Sequence, residues 1–158
     1  MLYQSAQSSN RKMEQYFFYN NRKIRFKCSC RERQISFFTC SKETLRINTY
    51  AFDQEALLLA GNNAAGKYDV KYYCGKFNAY QRTYVLSLKH DWSYALFRFQ
   101  LEDKLGYLEQ QSLGGLTKYL TLKILNELEF IVPPKEEQDK FAAFVDQIEK
   151  QNHRQPQP

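Results

Sequence analysis

No run of about 18 apolar residues occurs anywhere in the 158-residue chain, so no segment has the length of a membrane-spanning helix. The opening stretch, with Arg11, Lys12 and Glu14 and no apolar core behind them, lacks the form of a signal peptide; a cytoplasmic protein is expected. Histidine is scarce, with only His90 and His153, and the four cysteines come without paired Cys-x-x-Cys spacings. The usual zinc frames are therefore missing, and without a secretory signal Cys28, Cys30, Cys40 and Cys74 are expected to be reduced thiols. Apolar residues are not scarce. They make up 43% of the chain, with 16% aromatic, which is too rich for disorder. A chain of this size fits one domain plus an appendage and can bury a core without cross-links.

Catalytic signatures are equally thin. Gly61-Asn62-Asn63-Ala64-Ala65-Gly66-Lys67 has the GxxxxGK part of a phosphate-binding loop, but Tyr68 stands where a magnesium-holding Ser or Thr belongs. The residues that follow read as a strand rather than the helix whose N-terminus would face a phosphate. An adenine methyltransferase needs an Asn or Asp before a Pro-Pro-aromatic turn; here Pro133-Pro134 lies between Val132 and Lys135. His90 beside Asp91 suggests an acid–base pair. No Ser or Cys nucleophile motif accompanies them, and a helix-start role is the plainer reading. No catalytic residue, metal ligand or cofactor site is assigned.

Charge and periodicity are more informative. Residues 1–50 carry ten Lys or Arg against three Asp or Glu, so the net charge of +6 sits at the front. Lys67, Lys71, Lys76, Arg82 and Lys89 form a second basic cluster facing only Asp69; both segments suit phosphate. Tyr16 to Tyr19 reads as the first buried piece after a loose lead-in. Residues 23–38 partly alternate as a half-buried strand, Leu45 to Thr49 follow, and Ala56 to Ala60 is a short apolar run of strand type. Gly61 to Gly66 is expected as a loop. Tyr68 to Tyr73 and Tyr80 to Leu88 are expected as strands, with a turn at Gly75-Lys76. Trp92, Leu96, Phe99, Leu101, Leu105 and Leu108 recur at helical steps, predicting one helix or two short ones. Gly114-Gly115 makes a turn, Leu120 to Leu128 a short amphipathic segment, and Glu129 to Val132 a strand stopped by Pro133-Pro134. The last element has proline at its first helical position, Glu136 and Glu137 in its first turn, and Phe141, Phe144, Val145 and Ile148 on one stripe.

From Ser112 onward the text SLGGLTKYLTLKILNELEFIVPPKEEQDKFAAFVDQIEKQ resembles the end of a recognition domain of the type I restriction-modification specificity subunit and the start of its helical spacer. Gly114-Gly115, Leu120 to Leu128, Phe130 to Pro134 and Glu136-Glu137-Gln138 correspond to the family's loop, short helix, Pro-Pro strand and acidic-Gln helix start. Phe77 to Lys89 is similar to its central strand, and the similarity covers about residues 50–151. The resemblance implies an α+β fold, a mixed β-rich target recognition domain with short helices followed by a projecting amphipathic C-terminal helix that serves as a coiled-coil spacer. The expected division is a lead-in over 1–20, the recognition domain over 21–133, the spacer over 134–151 and a disordered tail over 152–158.

In such a subunit the globular domain reads one half of a split double-stranded DNA target. Separate methyltransferase and restriction subunits methylate adenine and cleave, so S-adenosylmethionine and ATP belong on those partners and no cofactor is expected here. Arg, Lys, Asn and Gln read base edges while basic and hydroxyl groups hold the backbone. The candidates are Asn62, Asn63 and Lys67; Lys76, Asn78, Tyr80, Gln81 and Arg82; and Thr117, Lys118 and Tyr119. The stripe of Phe141, Phe144, Val145 and Ile148 suits pairing with a second spacer helix, or packing on its own domain. A full specificity subunit has two recognition domains and two long spacers. One domain and a helix of about four turns leave open a half-subunit that dimerises, a fragment and a degenerate gene product. Two other functions stay open: a sequence-indifferent nucleic-acid binder built on the basic, aromatic front half, and a small enzyme using His90–Asp91 or a cysteine-bound metal.

Overall fold

The computed structural model describes residues 11–19, 34–64 and 66–152. Strands β1 (Arg11–Lys12), β2 (Phe17–Tyr19), β3 (Ile35–Phe38), β4 (Leu45–Ile47), β5 (Phe52–Ala60), β6 (Asn62–Asn63), β7 (Val70–Ala79) and β8 (Thr83–Leu88) come first. After them follow α1 (Tyr94–Asp103), α2 (Leu105–Gln111), β9 (Lys118–Tyr119), α3 (Leu122–Asn126), β10 (Glu129–Phe130) and α4 (Lys135–Asn152). The chain is thus mixed α+β, with strands concentrated in the first two thirds, as the sequence led us to expect. One six-stranded sheet in the order β2-β8-β5-β7-β3-β4 forms the body, and two-stranded ribbons β1-β10 and β6-β9 flank it.

The alternation of β5 decides which side of the sheet each residue serves. Leu57 and Leu59 join Phe17, Leu86, Phe97 and Phe130 in the larger core under the helices. Ala56 and Leu58 join Phe38, Phe52, Phe77 and Val85 in a second core on the opposite face. Both faces are covered, which is why Ala56 to Ala60 reads as an unbroken apolar run rather than a half-polar strand. Each fully buried large side chain contributes about 1.5–3 kcal/mol. The rings in the larger core pack both edge-on and stacked, Phe17 and Phe97 edge-on at 5.3 Å and Phe97 and Phe130 stacked at 5.4 Å between centroids.

The register requires this sheet to curl. Phe77 lies beside Phe52 near one end of β5, whereas Thr83 lies beside Ala60 at the other. Six residues reach at most about 20 Å, and a flat β5 would span about 26 Å between those two positions. Only strands bent around the second core bring both pairings within reach. The consequence is positional: the turn after β7 lands at the same end of the sheet as the loop after β5.

Several expected boundaries move, each for an identifiable reason. β7 passes straight through Gly75-Lys76, because its ladder with β5 is continuous from Leu59–Val70 to Phe52–Phe77. The turn falls instead at Tyr80 to Arg82, closed by the Thr83 N–H donating to the Tyr80 carbonyl at 2.8 Å. Within the expected loop after β5, Asn62 and Asn63 pair with Tyr119 and Lys118. The strand before Pro133 stops at Phe130: the Ile131 N–H donates to Gln100 Oε1 at 2.8 Å and its carbonyl accepts from Gln100 Nε2 at 2.9 Å, so a side chain does the pairing of a strand. α1 is capped by Ser93, whose Oγ accepts from the Leu96 N–H, rather than by His90 or Asp91. His90 packs against Trp92 with tilted rings at 4.6 Å and Asp91 pairs with Lys135 at 3.5 Å.

Residues 11–19, which fall within the expected loose lead-in, are ordered. Met13, Tyr16 and Phe17 are buried, and the Met13 N–H donates to the Leu128 carbonyl at 2.9 Å. Of the alternating segment 23–38, only β3 falls within the described residues, as do only Cys40 and Cys74 among the cysteines. The Cys40 thiol is free. Cys74 is disulfide-bonded, which corrects the expectation of reduced thiols at that position: folding, not sequence spacing, decides which sulfurs meet. Of the expected tail over 152–158, Asn152 is the last residue of α4 and residues 153–158 lie outside the described residues. No helix among those described is long and apolar enough to cross a membrane.

Candidate nucleic-acid interface

At the loop end of the curled sheet, four segments far apart in sequence surround a cleft of about 440 Å³, lined by Thr39, Cys40, Ser41, Asn62, Asn63, Ala64, Tyr80 and Thr117. Its walls are tied together by backbone. The Gly61 N–H donates to the Arg82 carbonyl at 2.7 Å, the Tyr80 N–H to the Phe38 carbonyl at 2.8 Å, and the Leu120 N–H to the Gly61 carbonyl at 2.8 Å. Gly61 makes the first of these approaches possible, since a Cβ there would lie 2.4 Å from the Arg82 oxygen. The Cys40 thiol donates to Asn62 Oδ1 at 2.8 Å, which fixes the Asn62 amide and leaves its NH₂ to donate. Tyr84 supports the floor from below, its hydroxyl donating to the Leu120 carbonyl at 3.0 Å; burial raises its phenol pKa.

Of the residues singled out from sequence, Asn62, Asn63, Tyr80 and Thr117 line this cleft together. Gln81 and Arg82 are exposed in the Tyr80 turn, and Lys67 is exposed just past Gly66. Lys118 and Tyr119 form β9, which pairs with Asn63 and Asn62. Lys76 and Asn78 are not brought in. Lys76 sits over the Tyr50 ring at 4.9 Å and Asn78 Nδ2 donates to the Thr49 carbonyl at 3.5 Å, both at the start of β5. Thr39, Cys40 and Ser41 escaped the sequence reading: a short polar stretch between two strands carries no periodic signal, and only the parallel pairing of β3 with β7 carries it to the cleft. The GxxxxGK likeness does not survive, because Gly66 and Lys67 lead into strand β7.

A second concavity of about 470 Å³ lies between α1 and α4. Six carboxylates, Glu55, Asp91, Glu102, Asp139, Asp146 and Glu149, line it with Arg98, and at its edge Lys135 pairs with Asp91 and Asp139 at 3.5 and 3.3 Å and Lys150 with Asp146 at 2.6 Å. Arg98 is shared between Glu102 at 2.8 Å and Glu149 at 3.5 Å. Burial pushes the Tyr94 phenol up to about 12, and burial together with a hydrogen bond to Glu55 raises that of Tyr72. Gln138 seats α4 here. Its Oε1 accepts from the Ser93 N–H at 2.9 Å and its Nε2 donates to the Pro133 carbonyl at 2.8 Å, with the side chain almost wholly buried. The apolar stripe divides: Phe141 packs on Phe99 at 5.6 Å and Val145 lines the groove, while Phe144 and Ile148 stay exposed.

A curled mixed sheet with a polar loop-end cleft, followed by a Pro-Pro corner and a Gln-anchored helix, is the architecture to be placed among known proteins. The chain belongs to the family described as the type I restriction modification DNA specificity domain, whose model matches residues 8–157; this is a family of non-catalytic DNA-recognition subunits. It is 35% identical over 118 residues to the EcoDI specificity subunit of Escherichia coli, a match that covers 73% of this chain and 25% of that protein. It also shares its fold with the S subunit of a type I restriction-modification system from M. genitalium, with a TM-score of 0.70 at 14% identity over 94% of this chain and 41% of that one. The chain therefore spans about a quarter of the curated relative it matches. The family resemblance read from Gly114-Gly115, Pro133-Pro134 and Gln138 is borne out, as is the mixed α+β fold with a C-terminal helix.

Proposed function

We propose that this chain reads one half of a split DNA sequence as a recognition half of a type I specificity subunit, and that methyltransferase and restriction subunits bound to it methylate adenine and cleave. The observation that carries this reading is the meeting of Asn62, Asn63, Tyr80 and Thr117, from three separate loops, in one cleft. An Asn side chain forms paired hydrogen bonds to an adenine edge, a Thr methyl packs on a thymine methyl, and hydroxyls and cations hold phosphates. Lys67 and Arg82, both exposed beside the cleft, supply the cations, and Gln81 adds a further base-reading amide. Lys76 and Asn78 take at most a peripheral part.

The exposed Phe144 and Ile148 on α4 support pairing with a second specificity half, with Phe141 and Val145 as the seam between α4 and its own domain. S-adenosylmethionine and ATP chemistry falls to the partner subunits. Mixing the chain with a type I methyltransferase subunit from the same source and selecting from a random DNA pool tests the reading. A complex enriching one short sequence, with affinity falling steeply as salt rises, is the expected result. Equal competition by unrelated DNA would overturn it in favour of sequence-indifferent binding.

A further inference from the structure

Residues Leu113 to Tyr119 form a braced finger beside the cleft. Leu113 and Tyr119 exchange both backbone hydrogen bonds, at 2.9 and 2.8 Å, and Lys118 Nζ donates across the finger to the Gly114 carbonyl at 2.9 Å. Gly114 has a φ of +102°, and a Cβ there would stand 2.3 Å from the Thr117 oxygen, so the turn is open to glycine alone. From the other side Gly66 lies against the Lys118 stem; a Cβ on Gly66 would be 3.2 Å from Lys118 Cγ. The finger is therefore held in a fixed pose.

At its tip stands Leu116, 96% exposed. A lone exposed leucine is ordinary on a protein surface. This one is the next residue to Thr117, which lines the cleft, and the finger's base abuts the loop that carries Lys67. We propose that Leu116 is an apolar base-contacting tip that enters the DNA groove when the cleft engages its target. This rests on the DNA-reading function proposed above. Two contacts share that chemistry: packing on a thymine methyl in the major groove, and wedging between base steps from the minor groove. The basic surroundings of Lys67 and Lys118 favour a polyanion as the occupant; Leu113 and Tyr119 at the base of the finger are also exposed, at 47% and 39%, so the assembly measurement below separates a protein contact from a DNA contact.

The test uses the assembled complex and the DNA it selects. Leu116→Ser, on a fully exposed side chain, is expected to leave assembly and folding unchanged while lowering affinity for the selected DNA about tenfold, with affinity for unrelated DNA unaltered. Replacing thymine by uracil across the target should weaken the wild type and not Leu116→Ser if the contact is to a methyl. A 2-aminopurine scan should brighten at one step with the wild type and not with Leu116→Ser if the contact is a wedge. Retention of full target affinity by Leu116→Ser overturns the proposal, as does silence in both the uracil and 2-aminopurine arms. Loss of assembly with the methyltransferase subunit at unchanged DNA affinity also overturns it, since the tip would then serve a protein. A wild-type complex that selects no sequence removes the underlying reading and this inference with it.

Discussion

The two concavities of the molecule are nearly equal in size, about 440 and 470 Å³, and opposite in chemistry. The loop-end cleft holds amides, hydroxyls and a thiol, with Lys67 and Arg82 exposed nearby. The groove under α4 holds six carboxylates and an aromatic floor. A DNA backbone carries one negative charge per roughly 1.7 Å of axis, so the first invites it and the second repels it. Volume alone would not choose between them; charge and the identity of the lining groups do. The same contrast holds for construction, since the cleft is knit by backbone bonds among loops whereas the outer wall of the groove is seated by side chains, Gln138 on Ser93 and Pro133, Phe141 on Phe99 and Glu149 on Arg98.

The strongest way to break this contrast is to invert the charge beside the cleft. The double variant Lys67→Glu, Arg82→Glu should lower DNA affinity about 100-fold at moderate salt and flatten the salt dependence by about one unit per lost phosphate contact. Binding titrations at several salt concentrations check this. Unchanged affinity would place the DNA elsewhere. Next in size, Gln138→Ala strips a buried N–H and a buried carbonyl of their partner, at a cost of about 1–3 kcal/mol. Chemical denaturation should show that loss, and hydrogen exchange should rise along α4 while the sheet stays protected.

A pH titration sharpens the groove side of the comparison. Because the Tyr94 phenol is raised from 10.0 to about 12 in the folded chain, folding favours the protonated form. The associated stability is complete below pH 10 and drains away as pH climbs through 10 to 12. Tyr94→Phe should weaken this alkaline dependence, as read by unfolding midpoints between pH 9 and 12, with the remainder kept by Tyr72 and Tyr84, whose phenols are also raised. Smallest of all, Glu102→Gln with Asp146→Asn should change DNA affinity by less than about twofold, because these groups lie in the groove rather than beside the cleft. It should shift stability by no more than about 0.5 kcal/mol, as expected for half-exposed ion pairs. A large gain in DNA affinity would show that the groove faces the DNA after all.

What sequence could and could not disclose follows from the range of the forces involved. The buried strand at Ala56 to Ala60, the two helices after Trp92 and the stripe of α4 were legible, because burial imprints a local period on the chain. Gly75 misled: a glycine usually marks a break, but eight paired positions along β5 hold β7 straight through it. Ile131 read as strand and is paired instead by the Gln100 side chain, a long-range substitution no local pattern records. Of the candidate site residues, Asn62, Asn63, Tyr80 and Thr117 meet in the cleft, whereas Lys76 and Asn78 lie at the start of β5, because residue type does not record which loops the fold brings together. Cys40 went unseen at the cleft because its role exists only once β3 lies alongside β7. Gln138 is the sharpest case. Its residue type marked only the start of a helix, and nothing local records that the side chain is 1% exposed and bridges Ser93 and Pro133.

That amide also governs direction. α4 has 18 residues, a rod about 27 Å long, and its heading is set where Gln138 grips Ser93 and Pro133. A tilt of about 10° at the gripped end displaces the far end by about 5 Å over that length, more than the rise of one base pair, about 3.4 Å. Anything carried beyond Asn152 is aimed by the two hydrogen bonds at the opposite end of the lever together with the Phe99–Phe141 and Arg98–Glu149 contacts along it.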